Sequence, residues 1–105
     1  MAAFDEGDMD AVMSDYATDA VLLTPEGPKY GHGEIRPALE WFLKNILATA
    51  TDFTMIQQTV EGEVAYIAWS AESPRYRIPS STDTFIVRNG KIVVQTMAAK
   101  VEEKA

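Results

Sequence analysis

The spacing of the apolar residues changes at Thr51, and that change limits the fold of this chain more than any single residue does. Before it, apolar side chains recur at helical intervals. Met9, Val12, Met13 and Tyr16 form one set, and Ile35, Leu39, Phe42 and Ile46, with Leu43 beside them, form a second. Steps of three and four put each set on one helix face. After Thr51 the step is two. Phe53–Val60, Val64–Ala71, Thr82–Val87 and Lys91–Val101 read as strands. Helices first and consecutive antiparallel strands second give the α+β class, with the helices on one face of a sheet.

Punctuation along the chain agrees. Asp8 is a helix cap, and Asp5, Glu6, Asp8 and Asp10 lie before or in the first turn, where they favour the helix dipole. The apolar run Ala20–Thr24 stops at Pro25-Glu26-Gly27-Pro28, a turn. Gly31-His32-Gly33 leads into the second helix, whose Pro37 is tolerable near the first turn. Glu61-Gly62-Glu63 turns one pair of strands, and the proline-bounded stretch Ser73–Ser80 reads as a longer loop. Asn89-Gly90 between two apolar strands is the clearest hairpin signal. Without repeats or linkers, residues 1–105 read as a single domain.

Composition narrows the chemistry. The absence of cysteine removes disulfides, thiolate nucleophiles and cysteine-rich zinc sites, and one histidine is too few for a multi-histidine metal centre. No metal and no organic cofactor is expected. A net charge of −7 repels phosphate backbones, so nucleic acid and anionic membrane surfaces are not expected partners. No apolar run reaches the ~18 residues of a membrane span, and a cytoplasmic location is expected.

The last strands are apolar on both faces. Ile92, Val94 and Ala98 alternate with Val93, Met97 and Ala99, and Val64, Tyr66 and Ala68 with Ala65, Ile67 and Trp69. A sheet with one wet face alternates apolar with polar. Two short helices cover only one side, so the other is expected to pack against a second copy, giving a homodimer through the outer sheet face.

The segments Phe4-Asp-Glu-Gly-Asp-Met-Asp-Ala, Tyr16-Ala-Thr-Asp-Ala-Val-Leu-Leu-Thr-Pro and Gly31-His-Gly-Glu-Ile-Arg resemble the SnoaL-like and ketosteroid isomerase-like branch of the nuclear transport factor 2-like superfamily. Asp83-Thr-Phe-Ile-Val-Arg-Asn-Gly-Lys-Ile is similar to its penultimate hairpin. The resemblance implies a cystatin-like cone: a curved antiparallel sheet with helices on its concave face and an apolar pocket between them. Dimers through the outer face are common in that family. Members carry a long first helix ahead of the segment that begins here near Phe4. Either that helix is truncated to a stub or the native start lies upstream of Met1.

Ketosteroid isomerase chemistry uses a carboxylate base with a tyrosine and a protonated aspartic acid as donors to the dienolate oxygen. By resemblance the base position is Thr24, whose hydroxyl is no base at neutral pH, and the donor tyrosine would precede Met1. The donor acid matches Asp83. Asp83 also stands out on its own, because alternation puts this carboxyl on the apolar face of Phe85 and Val87. Its pKa should rise unless Arg75 or Arg77 pairs with it. Tyr16, at the end of the first helical stripe, is the second catalytic candidate, as a supporting hydrogen-bond donor or a core residue. The resemblance places Leu39 where a further tyrosine would stand, and makes Tyr66, rather than Trp69 on the opposite face, the pocket aromatic. Thr24, Leu39, Phe42, Tyr66, Phe85, Met97 and Ala99 make up the expected pocket. Gln95 shares the face of Met97 and Ala99, and His32 reads as a turn residue or a base at the rim. Gly31-x-Gly33 lacks the third glycine and the βαβ setting of a phosphate loop, and no serine sits in a nucleophile elbow.

Three functions fit. One is an isomerase, dehydratase or cyclase acting on an apolar carbonyl compound. The others are a binder of a small apolar ligand and a non-catalytic dimerisation module.

Overall fold

A computed structural model describes residues 8–47 and 50–104. Phe4, Asp5 and Glu6 lie outside them. The first described element, α1 (Met9–Ser14), is capped as expected: the Asp8 carboxylate accepts the Ala11 N–H at 3.1 Å. Tyr16 does not end this helix. It opens strand β1 (Tyr16–Thr24), because the backbone at Asp15 is claimed by the sheet: the Ile92 N–H donates to the Asp15 carbonyl at 2.8 Å, and Tyr16 pairs with Ile92.

A turn at Pro25 and Glu26 leads to β2 (Gly27–Tyr30) and then to α2 (Gly31–Phe42), which continues as a π-helical turn over Leu43–Leu47. Gly31 starts α2 at φ +69°, where a side chain would be strained, and a Cβ there would lie 3.2 Å from the Thr18 carbonyl oxygen. The Glu34 carboxylate reaches back one turn to accept the Tyr30 N–H at 2.8 Å, giving the amide at the helix cap a partner. Pro37 lies inside α2 rather than in its first turn. It is exposed, so the Gly33 carbonyl deprived of a helical partner faces water. Ile35, Leu39, Phe42, Leu43 and Ile46 are buried, as their spacing required.

The remaining chain is a meander of β3 (Asp52–Glu61), β4 (Val64–Glu72), β5 (Tyr76–Arg88) and β6 (Lys91–Ala99), with β7 (Glu102–Glu103) added against β5. The expected loop over Ser73–Ser80 is mostly strand. The register slips between Trp69 and Ala71, which face Ser81 and Ile78. The extra residue on β5 is a bulge that accommodates Pro79, whose missing N–H would break a regular ladder. Asn89 and Gly90 take φ +52° and +76°, the two positive values of a type I′ hairpin turn.

Strand order is β2-β1-β6-β5-β4-β3, and all pairs are antiparallel except β1 beside β6. The result is a curved, unclosed sheet with α1 and α2 on its concave face. A second bulge, between Ile86 and Val87 opposite Val94 and Ile92, turns Ile92 into the core, whereas simple alternation had grouped it with Val94 and Ala98. Two buried clusters result. One gathers Tyr16, Leu22, Leu39 and Phe85; the other gathers Phe42, Ile46, Trp69 and Ile78; Ile67 and Met97 pack against both. No described helix is long and apolar enough to cross a membrane.

Candidate functional site

Strands β4, β5 and β6 pair in regular register where the chemistry lies. Ile67 faces Asp83, which faces Met97; Ala65 faces Phe85, which faces Gln95; Trp69 faces Ser81, which faces Ala99. All nine side chains point to the concave side. Asp83 sits at the centre of this field, 6% exposed, and its polar neighbours are buried too.

The contacts form a chain. The Tyr16 hydroxyl donates to Gln95 Oε1, and Gln95 Nε2 donates to Asp83 Oδ2 at 2.9 Å. Trp69 Nε1 donates to Asp83 Oδ1 across a long 3.4 Å. Gln95 is the residue that sequence reasoning undervalued. It shares the face of Met97 and Ala99, yet nothing along the strand announces that its amide links a tyrosine to a carboxyl. Ser81 was also passed over, because a serine in a strand carries no motif. Its hydroxyl is fully buried beside Asp83 and, with Gln95 and Trp69, opposes the rise in the carboxyl's pKa.

Neither arginine reaches Asp83. Arg75 pairs with Glu103 at 3.2 Å and Arg77 with Glu72 at 3.1 Å, both at the surface. The Asp83 carboxyl therefore has neutral partners, and burial pushes its pKa up against the opposing hydrogen bonds from Gln95 and Trp69 and the nearby Ser81. Tyr16 is pushed up as well, first by burial and then by the negative charges of Asp83 and Asp15, which keeps its hydroxyl a donor.

A cleft of about 620 Å³ opens next to this network, between α2, the β1–β2 turn and the end of β6. Thr24, Phe42, Met97 and Ala99 line it, four of the seven expected pocket residues. Leu39 and Phe85 lie deeper, in the core. Tyr66 is on the wrong side. It faces Thr84 on the convex surface, and Trp69, edge-on to Phe42 and stacked on Phe53, is the concave aromatic instead. Strand alternation separates the two residues without telling which face is which. Thr24 also closes the β1–β2 turn, its hydroxyl donating to the Gly27 carbonyl at 2.8 Å. His32 lies in the first turn of α2 rather than in a turn before it, and its Nε2 donates to the Tyr16 carbonyl at 2.9 Å. The carboxylates on the cleft are Glu26 and Glu34, which the sequence offered only as turn and helix-start residues. Among the described residues, no three His, Asp or Glu side chains gather as a metal site.

Comparison with solved structures places this geometry. The chain superposes on an NTF-2 like protein of unknown function from Burkholderia xenovorans with a TM-score of 0.73 at 22% identity, covering 99% of this chain and 79% of that one. A steroid delta-isomerase from Pseudomonas aeruginosa gives 0.75 at 18% identity, covering 94% and 72%. The epoxide hydrolase/cyclase-like enzyme SalBIII, of polyether salinomycin pyran ring formation, gives 0.76 at 20%, covering 94% and 83%. At these identities the likeness is one of fold. No functionally curated protein matches the chain in sequence. The SnoaL-like domain family matches residues 1–95, which takes in α1, α2, the cleft-lining turn and every member of the Tyr16–Gln95–Asp83–Trp69 chain, and this protein belongs to that family.

Proposed function

We propose that this protein binds a small apolar carbonyl compound in the cleft between α2 and β6, with the Asp83 carboxyl as hydrogen-bond donor, and that it promotes proton transfer next to that carbonyl. The observation that carries the reading is Asp83 itself: a buried carboxyl held by an amide and an indole, with no cation. Such a group is costly as an anion and is a donor when neutral. Enolisation also requires a base. Thr24 cannot serve, and Glu34 caps α2, which leaves Glu26 at the cleft rim for that role. The isomerase and cyclase-like neighbours support this class of chemistry by analogy of fold alone.

Acetophenone deuterated at its methyl group tests the proposal. Expected is loss of deuterium to water faster than in buffer, abolished by Asp83→Asn and slowed by Glu26→Gln. Saturable binding without exchange would leave a binder and overturn the enzyme. No binding would overturn both.

A second reading, the homodimer, draws on the opposite face. Val21, Val94, Thr96, Thr82, Thr84, Ile86, Tyr66 and Ala68 share the convex surface of β1, β6, β5 and β4, and none is charged. A charge-free face on a chain of net charge −7 suits a self-complementary contact.

A further inference from the structure

We propose that Lys29 is an anion-binding residue of the cleft, and that the apolar compound held there carries one carboxylate, which ion-pairs with the Lys29 ammonium. This rests on the functional reading above, which puts a ligand in this cleft, and adds to it the charge of that ligand and the residue that selects it.

Three observations carry the inference. The first is the direction of the side chain. Lys29 lies opposite Leu22 in the β1–β2 ladder, and directly opposed residues share a face. Leu22 is fully buried in the concave core, so Lys29 also leaves its strand on the concave side, half-buried where it borders the cleft. Pro28 and Tyr30, which alternate with it on β2, are exposed.

The second observation is the want of a partner. Every other basic side chain has one: all but Lys91 pair with carboxylates, and Lys91 donates to the Ser14 carbonyl. Among the described residues, Lys29 alone has neither an ion pair nor a hydrogen bond from its side chain. Carboxylates are not scarce, since the chain has 16 acidic residues to 9 basic ones. Glu26 and Glu34 even border the same cleft, yet both are exposed and neither pairs with Lys29, and Glu34 is engaged by the Tyr30 N–H. A half-buried ammonium has lost part of its hydration, and an incoming carboxylate compensates that loss.

The third observation is the wall beside the charge. Trp41 is 45% exposed but held edge-on by Phe42 at 6.1 Å and by Tyr76 at 5.8 Å between ring centres. With Phe42, Met97 and Val101 it lines the cleft, a fixed apolar surface for the body of a ligand. The two glutamates at the rim limit the charge such a ligand carries. A dianion meets two negative groups with a single lysine to offset them, so one carboxylate is the number that fits.

Calorimetric titration with 4-acetylbenzoate tests the proposal, beside 4-acetylbenzamide as its neutral isostere and 4-acetylbenzylamine as its cationic counterpart. The carboxylate should bind about fivefold tighter than the amide, the upper worth of a solvent-accessible ion pair, and the margin should shrink as salt is added. Lys29→Met keeps most of the stem and should bring the two probes level while leaving amide binding unchanged. Lys29→Arg should retain the preference. Equal binding of carboxylate and amide by the native protein overturns the inference, as does a preference that survives Lys29→Met. Tightest binding of the amine overturns it too, because Glu26 and Glu34 then set the charge of the site. In these three cases a carbonyl compound still binds, and the functional reading stands. A lysine-dependent preference without deuterium exchange from acetophenone upholds the inference and overturns the enzyme alone. If neither these probes nor acetophenone binds, the functional reading falls and the inference with it.

Discussion

Replacing Gln95 by leucine tests the buried polar chain directly, because the two side chains are close in volume and only the amide is removed. Gln95 is 4% exposed, so water does not take its place. Its loss leaves two groups without their partner, the Tyr16 hydroxyl and Asp83 Oδ2. A buried polar group so stranded costs about 1–3 kcal/mol, which puts Gln95→Leu at about 2–6 kcal/mol, a large part of the ~5–15 kcal/mol that holds a domain of this size folded. At about 4–8 °C per kcal/mol, the midpoint should fall by at least ~8 °C. Tyr16→Phe strands only Gln95 Oε1 and should cost about 1–2 kcal/mol. The informative variant is the double one. With leucine at 95 the tyrosine hydroxyl already has no partner, so removing it should restore about 1 kcal/mol, and Gln95→Leu/Tyr16→Phe should be more stable than Gln95→Leu alone. Urea denaturation of the four proteins under one buffer gives the cycle. Losses that add to within ~0.5 kcal/mol, the behaviour of independent sites, would refute the claim that the three residues act as one network.

The raised pKa of Asp83 has a definite sign in stability. Its carboxyl releases its proton earlier in the unfolded chain, near the reference of ~3.9, so its contribution is full below that pH and is lost as pH rises through the folded-state value. Asp83→Asn should flatten that part of the pH profile of urea midpoints; parallel profiles for the two proteins would refute the assignment. Gly31→Ala should cost about 1–2 kcal/mol for the left-handed backbone, read as a lower thermal midpoint, because the new Cβ also crowds the Thr18 carbonyl; an unchanged midpoint would refute it. Thr84→Lys, on the convex face between Tyr66 and Thr96, should convert a dimer to a monomer in sedimentation while leaving the fold intact; a native protein that already sediments as a monomer would remove the dimer altogether.

What could be read from the sequence was what depends on local spacing. The α2 stripe, the Asp8 cap and the Asn89-Gly90 turn are set by neighbours within a few residues, and each stands where the pattern put it. The errors share one cause. Tyr16 left its helix because a strand about seventy-five residues away pairs with it, Ile92 changed face because of a bulge, and Pro79 entered a strand because a second bulge made room. Bulges and parallel pairings leave no period in the chain. Asp83 was found because a carboxyl among β-branched and aromatic residues is a local contradiction. Gln95, Ser81 and the cleft carboxylate Glu26 were not, because each is ordinary among its sequence neighbours and gains meaning only from what lies across the sheet.

The same bulges and pairings explain why the polar chain lies where it does. The concave core is divided: Tyr16 and Phe85 belong to one apolar cluster, Trp69 and Phe42 to the other. Asp83 joins them, bound through Gln95 to Tyr16 on one side and directly to Trp69 on the other. Apolar contacts are non-directional and would let two such clusters slide against each other, whereas hydrogen bonds require one register. The chain of four residues therefore fixes how the halves of the core meet. Along the same seam, the side chains that bridge the clusters, Ile67 and Met97, are only partly buried. Two side chains across the sheet from the buried carboxyl thus remain partly exposed. A core built only for stability would fill that seam with close-fitting aliphatic side chains, and an aspartic acid there would be a defect. Beside a cleft, with Met97 between, the same arrangement puts a buried carboxyl one side chain from the surface, which is where the proposed function requires its donor.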